Sequence, residues 1–256
     1  MRDKLSKVYM YLVLLFLYAP IIILMIFSFN DSKFRTWSGF SFRWYIELFN
    51  DEKILDALYT TLFVAIISAV LSTIIGTISA IGIDNLKKWK KTTLLNINYL
   101  PVLNPDIVTG ISLMLLFFFL KIPMGRLTLI LSHMTFCIPY VILSVLPKLK
   151  QLNENTFEAA LDLGATPAYA TFKVIIPEIM PGIITGFLMA LTLSIDDFII
   201  SFFTTGPGVE NLSILIYNAA KKGVSPSINA LSTLMFAVIL ILLLIINIRT
   251  SNKKGD

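Results

Sequence analysis

Glu158-Ala159-Ala160-Leu161-Asp162-Leu163-Gly164, with Pro177 and Pro181 following, is the stretch that decides how this chain is read. It is short and polar, and it lies between two long apolar blocks. Spanning a bilayer requires no such element, whereas being pushed from the cytoplasm does. Asn155 is placed to cap a helix beginning at Thr156, with Glu158 three residues on in the capping-box position. Gly164 suits the left-handed residue that closes a helix. Thr166 is placed to cap a second helix, with Pro167 in its first turn. Pro177 and Pro181 are expected to break the chain before the next apolar block. The spacing therefore predicts a short helix, a tight turn and a second helix. Phe157 and Leu161 share one face and suit a groove on a partner, while Glu158 and Asp162 form a neighbouring stripe. The stretch is acidic on balance until Lys173, unlike the basic polar face of a helix that rests on a membrane.

Of the 256 residues, 56% are hydrophobic and only 14% charged. A soluble domain carries about 25% charged residues. The apolar residues come in long blocks, so the expected fold class is an all-α polytopic membrane protein in one domain. Cys137 is the single cysteine, which excludes an intrachain disulfide. The net charge of +5 sits in short tethers between apolar blocks. A membrane topology accounts for that placement and a nucleic-acid partner does not.

Six transmembrane helices are expected, at about 8–29, 58–83, 94–120, 127–146, 179–203 and 230–248, with a cytoplasmic loop at 148–178. The first apolar run is longer than the roughly 7–15 residues of a signal-peptide core, so it reads as a retained span. Asn96, Asn98, Pro101, Asn104, Pro105 and Asp106 interrupt the third, which suits a tilted or broken helix. With the N-terminus inside, thirteen basic residues face the cytoplasm: Arg2, Lys4, Lys7, Lys87, Lys88, Lys90, Lys91, Lys148, Lys150, Lys173, Arg249, Lys253 and Lys254. Eight face outward: Lys33, Arg35, Arg43, Lys53, Lys121, Arg126, Lys221 and Lys222. The positive-inside rule then places both termini and the Glu158 loop in the cytoplasm.

No Lys or Arg falls inside a predicted span, but Asp106, Asp196 and Asp197 do. A charge at mid-membrane costs about 2.5–3.5 kcal/mol on insertion scales, so these acids point to function or to a partner charge. Acids without bases suit a cationic solute. Ser194, Asp197 and Ser201 share one helical face and Thr192 and Asp196 another. A single pore wall meets both faces only if the helix turns or bends, which Pro181, Gly182 and Gly186 are placed to permit. Trp44 and Tyr18 are candidates for cation–π contact with an ammonium group. The alternative for Trp44 is an interfacial anchor in an amphipathic outer loop with Phe42, Tyr45, Leu48 and Phe49. His133 and Cys137 make no metal site, and packing is the expected role of both.

The loop resembles the EAA loop of ABC-transporter permeases that depend on a solute-binding protein. Glu158-Ala159-Ala160, Gly164 and Val174-Ile175-Ile176-Pro177 keep the family spacing, with Val174 and Ile176 where Ile and Leu are usual. The resemblance implies a type I ABC importer permease, or MetI-like, architecture. It implies that Phe157, Glu158, Ala159, Ala160, Leu161 and Gly164 couple the chain to a cytoplasmic ATPase. The chain has no G-x-x-x-x-G-K-[ST] phosphate loop, so it is expected to be a non-catalytic subunit without a cofactor or metal of its own. ATP and Mg would be bound by the partner ATPase.

Ser194-Ile195-Asp196-Asp197-Phe198, Thr205-Gly206-Pro207, Asn104-Pro105-Asp106-Ile107-Val108 and Gly223-Val224-Ser225-Pro226-Ser227-Ile228-Asn229-Ala230 are similar to stretches of spermidine/putrescine importer permeases. That resemblance implies a bacterial cytoplasmic-membrane subunit moving polyamines past Asp106, Ser194, Asp196, Asp197, Trp44 and Tyr18. The implied partners are a homologous second permease, two ATPase subunits, an extracytoplasmic polyamine-binding protein and the lipid bilayer, with no nucleic acid. The alternatives are an ABC permease for another cation, such as Fe(III) or a cationic amino acid, or a proton-coupled secondary transporter. The last predicts inverted repeats and no docking loop, which this sequence does not match. A membrane enzyme would need a nucleophile–base or metal constellation beyond one His and one Cys.

Overall fold

Small residues set the packing of the longest helix. Residues 2–32, 36–153, 155–222 and 226–251 are described in the computed structural model. Lys33, Arg35, Lys253, Lys254 and the Gly223-Val224-Ser225 part of the quoted motif lie outside them, as do the side chains of Arg2, Lys4, Lys222 and Arg249. In order the helices are α1 Arg2–Ser28, α2 Arg43–Asn50, α3 Glu52–Asp84, α4 Lys88–Leu103, α5 Asp106–Phe119 and α6 Arg126–Leu149. They continue as α7 Thr156–Asp162, α8 Pro167–Ala170, a π-helical turn Thr171–Ile175, α9 Ile176–Asp196, α10 Ile199–Thr204, α11 Leu212–Lys222 and α12 Pro226–Ser251.

On α3, Ala65, Ser68, Ala69, Ser72 and Ala80 are buried, while Ile66, Val70, Ile74 and Ile78 are exposed. The small face lies on α6. Ser68 and Ser72 donate to the carbonyls of Ile130 and Met134, each at 3.2 Å. A Cβ on Gly76 would stand 2.7 Å from Val141. Close backbone approach with hydroxyl donors across the contact is how helices associate in lipid, where apolar bulk gives no preference for protein over solvent. The exposed Ile/Val face is then the one suited to lipid or a partner helix.

The α6–α9 contact works the same way, through Gly182-Ile183-Ile184-Thr185-Gly186, a G-x-x-x-G spacing. A Cβ at Gly182 would lie 2.9 Å from the Ser144 carbonyl, and one at Gly186 would lie 3.2 Å from Val141 Cα. The two glycines bring helices together and do not serve the bend expected of them. Gly182→Val is expected to destabilise the purified protein by about 1–3 kcal/mol through overpacking and so to lower its thermal midpoint. Gly82→Val, at a position open to a 4 Å radius, should leave that midpoint in place. Equal midpoints for the two variants would contradict the assigned contact.

The third predicted span is two helices. α4 and α5 meet at 103°. The break falls at Asn104–Pro105, where Asn104 is extended (φ −75°, ψ 144°) as the residue before proline is forced to be. The region from Pro167 shows the opposite. Helix runs through Pro177 and Pro181 to Asp196 over 30 residues, so neither proline breaks the chain. For Pro177 the π turn ending at Ile175 supplies the reason: the Ile176 N–H reaches back to the Thr171 carbonyl, and this wider i→i−5 register absorbs the missing proline donor.

The chain divides into two compact units. The first comprises Met1–Ala57 and Leu215–Ile241. Within it, α1 leads to a hairpin closed by a bridge between Asn30 and Phe40. Phe29, Phe40, Phe42 and Tyr45 form one aromatic cluster there, with centroids 5.1–6.2 Å apart. The second comprises Leu58–Ile214 and Leu242–Asp256. Its core includes Val141, Val145, Leu146, Ile175, Ile179, Ala190 and Ile200, from α6, the π turn, α9 and α10, together with Ala69, Ala80 and Ile83 of α3.

Candidate functional site

The polar loop closes with a Schellman motif. Gly164 adopts φ +88°. Its N–H reaches the Leu161 carbonyl at 2.9 Å, and the Ala165 N–H reaches that of Ala160 at 3.1 Å. Thr166 caps α8 by accepting from the Tyr169 N–H at 3.3 Å, with Pro167 in the first turn. Asn155 does not cap α7. It already has helical dihedrals and makes no side-chain cap bond. Its own N–H is received by Asn153 Oδ1 at 3.1 Å, so the turn that starts the helix forms earlier than expected.

This loop turns a different face outward from the one sequence spacing favoured. Phe157 packs on the chain's own core, and Leu161 is half-buried beside it in sequence register. Glu158, Ala159, Asp162, Leu163 and Gly164 are exposed, with Ala160 half-buried. Leu163 is 90% exposed, and Tyr169 and Phe172 add two further exposed apolar side chains. A large aliphatic side chain bared at the tip of a rigid turn is the signal that residue spacing alone missed. Behind the turn lies a cavity of about 510 Å³. Glu158 and Lys150 line it together with the Asp84–Lys91 ion pair of 2.6 Å.

The second site is a break in the fifth predicted span. α9 ends at Asp196, Asp197 is extended (φ −66°, ψ 127°), and α10 begins at Ile199. Asp197 caps α10: Oδ1 accepts from the Ile200 N–H at 3.2 Å and Oδ2 from the Ser201 N–H at 2.7 Å. His133 on α6 lies against the same carboxylate, with Nε2 3.4 Å from Oδ2. Its Nδ1 bonds Ser194 at 2.6 Å and its Nε2 bonds Ser201 at 2.9 Å. Asn211 donates to Ser201 at 2.8 Å and accepts from the Ile214 N–H at 3.0 Å. Ser194, Ser201, Asn211 and His133 are all buried. Polar groups buried at membrane depth need partners within the protein, and this network supplies them.

Asp196 is exposed beside the network. Asp106 is exposed at the start of α5. Gly110, one turn on from it, packs against Ile199, Ile200 and Phe203 of α10. Asp106 and the acid pair therefore flank one helix contact, and Asp106 lies roughly 6 Å along the axis from it. The following turn is equally tight. Thr128 donates to the Thr204 carbonyl at 2.7 Å, and a Cβ on Gly206 would collide with the Met124 carbonyl.

The aromatic candidates belong to the first unit and the acids to the second. Trp44 is only 2% exposed, and its indole N–H donates to the Asn30 carbonyl at 2.6 Å. Arg43 covers the ring at 5.3 Å. The Trp44 ring is committed to packing its own hairpin and leaves no open face for a solute ammonium. Tyr18 is exposed on α1, in the other unit from the acids. Ser194 is occupied by His133. His133 does pack, with its ring 5.5 Å from that of Phe136, but it is also the hub of the network. The rule that an ionisable residue in a membrane needs a named partner would have paired it with Asp197.

The family described as "binding-protein-dependent transport system inner membrane component" matches residues 72–250. The chain belongs to this family. The spermidine/putrescine transport system permease protein PotC of Escherichia coli (strain K12) is 38% identical over 246 residues, covering 94% of this chain and 93% of its own. The putrescine transport system permease protein PotI of the same strain is 40% identical over 232 residues, covering 88% and 83%. PotC of Haemophilus influenzae is 35% identical over 256 residues, covering 100% and 99%. Among solved structures, a chain of a bacterial ABC transporter involved in the import of the acidic polysaccharide alginate superposes with a TM-score of 0.70 at 17% identity. It covers 99% of this chain and 96% of its own. A chain of the MetNI methionine ABC transporter gives 0.58 at 17% identity, covering 80% and 96%. The all-α ABC-permease fold expected from the sequence is thus the observed one. As an inner membrane component, this permease is a multi-pass membrane protein and a transport subunit.

Proposed function

We propose that this chain is the permease subunit of an ATP-driven importer that carries polyamines across the bacterial cytoplasmic membrane. The observation that carries this reading is the 38–40% identity to PotC and PotI along 88–94% of the chain. The site chemistry agrees with it. Exposed Asp106 and Asp196 offer two carboxylates around one helix contact, in spans whose middles hold no base. At an effective dielectric of about 20, a close charge pair gains roughly 4 kcal/mol before desolvation. Two such contacts suit a di- or trication spaced along a chain, and each is weak enough to release.

In this account an extracytoplasmic binding protein delivers the polyamine to the outer mouth. Two cytoplasmic ATPase subunits, which bind the ATP and Mg, grip the Glu158–Gly164 turn. Leu163, Tyr169 and Phe172 supply the apolar surface they cover. Because α7 is tied to the core through Phe157 and α8, just past the turn, continues through the π turn into α9, displacement of the turn moves the helix that ends at Asp196. A homologous second permease completes the path. Both termini and the coupling turn face the cytoplasm, as the charge distribution favours.

The test is uptake of labelled spermidine and putrescine by cells lacking their own polyamine importer and supplied with this chain and its partner genes. Uptake competed by unlabelled polyamine and not by Fe(III) or arginine is the expected result. Absence of uptake by an assembled complex would move the solute to another class.

A further inference from the structure

Two acids stand side by side in this chain with opposite surroundings. The Asp196 side chain is exposed, while that of Asp197 is 8% exposed and in contact with three groups. A broken helix at membrane depth leaves N–H groups that no water satisfies and that the protein must partner itself. Asp197 receives two of them, from Ile200 and Ser201. His133 holds the two sides of the break together, since Ser194 belongs to α9 and Ser201 to α10. Asn211 ties the same hydroxyl to the start of α11. Four helices are thus joined at one buried cluster, and the carboxylate's oxygens are turned into it and away from the open face.

We propose that Asp197 is a positioning residue that does not touch the solute: with His133, Ser201 and Asn211 it fixes the break in α9–α10, and the fixed break turns Asp196 out towards the transport path. The inference rests on the polyamine reading for the identity of the solute, but not for the geometry. What the site requires at 197 is a short side chain with acceptor oxygens; Asn, which also caps helix N-termini, keeps one of the two acceptors and loses the charge. Glu keeps the charge, but its extra methylene must enter a filled cluster.

The test follows two readouts in the full complex at equal membrane abundance. One is the polyamine concentration giving half-maximal uptake. The other is the rate at which a cationic thiosulfonate labels Asp196→Cys, with the buried Cys137 replaced by alanine. Asp197→Asn, which keeps one of the two acceptors, is expected to move both readouts together, and by less than Asp197→Glu. Asp197→Glu is expected to worsen both tenfold or more. Uptake lost in Asp197→Asn with labelling unchanged would overturn the proposal, because the charge itself would then act on the solute. Labelling altered with uptake unchanged, or both readouts unchanged in both variants, would overturn it as well. A parent complex that moves no polyamine would sink the polyamine reading alone, since the labelling rates still decide the geometry.

Discussion

Asp196→Asn is expected to raise the spermidine concentration for half-maximal uptake by roughly ten- to a hundredfold, with the permease at normal abundance in the membrane. A charge-assisted contact is worth about 1.5–3 kcal/mol net, and 1.4 kcal/mol is tenfold in affinity. The side chain is exposed and holds up none of the chain's own packing, so its removal should leave the fold intact. Asp106→Asn should act in the same direction, being exposed near the same helix contact. The double variant should lose more for spermidine than for putrescine, since a trication has a third charge to place against them. Initial uptake rates across a concentration series for both labelled polyamines measure this directly. Unchanged half-saturation in both single variants would remove these acids from the path.

The second large effect is expected at the coupling turn. Burying a leucine side chain is worth about 1.5–3 kcal/mol, and Leu163 is bare at the tip. Leu163→Asp is therefore expected to weaken co-purification of the ATPase at least tenfold and to abolish uptake, with the permease still folded. Gly164→Val should do the same by another route. The backbone there is left-handed, at φ +88°, which costs an L-residue about 1–2 kcal/mol and undoes the Schellman closure. Phe157→Ala should behave differently, lowering the thermal midpoint of the permease itself, because that ring packs inward. ATPase that co-purifies normally with Leu163→Asp would place the docking surface elsewhere.

How legible these features were depended on how local their causes are. The coupling turn is written in consecutive residues, so Thr166, Pro167 and Gly164 could be assigned from capping chemistry and the structure keeps all three. The bend at Asn104–Pro105 is likewise a property of the dipeptide. The direction of the turn was not legible, because it depends on what Phe157 meets in the folded core. Nor was the role of Asp197. Its helix cap is local, but the network it joins is closed by His133, 61 residues from Ser194 and 68 from Ser201 in sequence. Trp44 is similar, its burial set by the Asn30 carbonyl 14 residues away across a hairpin. Gly182 and Gly186 read as flexible points along one helix, and only the neighbouring α6 makes them a contact surface.

Reconstituted vesicles test the central claim most directly. The complete complex would be placed with ATP on the side of the coupling turn and with binding-protein-loaded labelled spermidine on the other. Spermidine is expected to accumulate in step with ATP hydrolysis, and accumulation to fall at least tenfold at low spermidine when Asp196 is replaced by asparagine. ATP turnover without accumulation in the parent complex, or accumulation indifferent to that replacement, would contradict it.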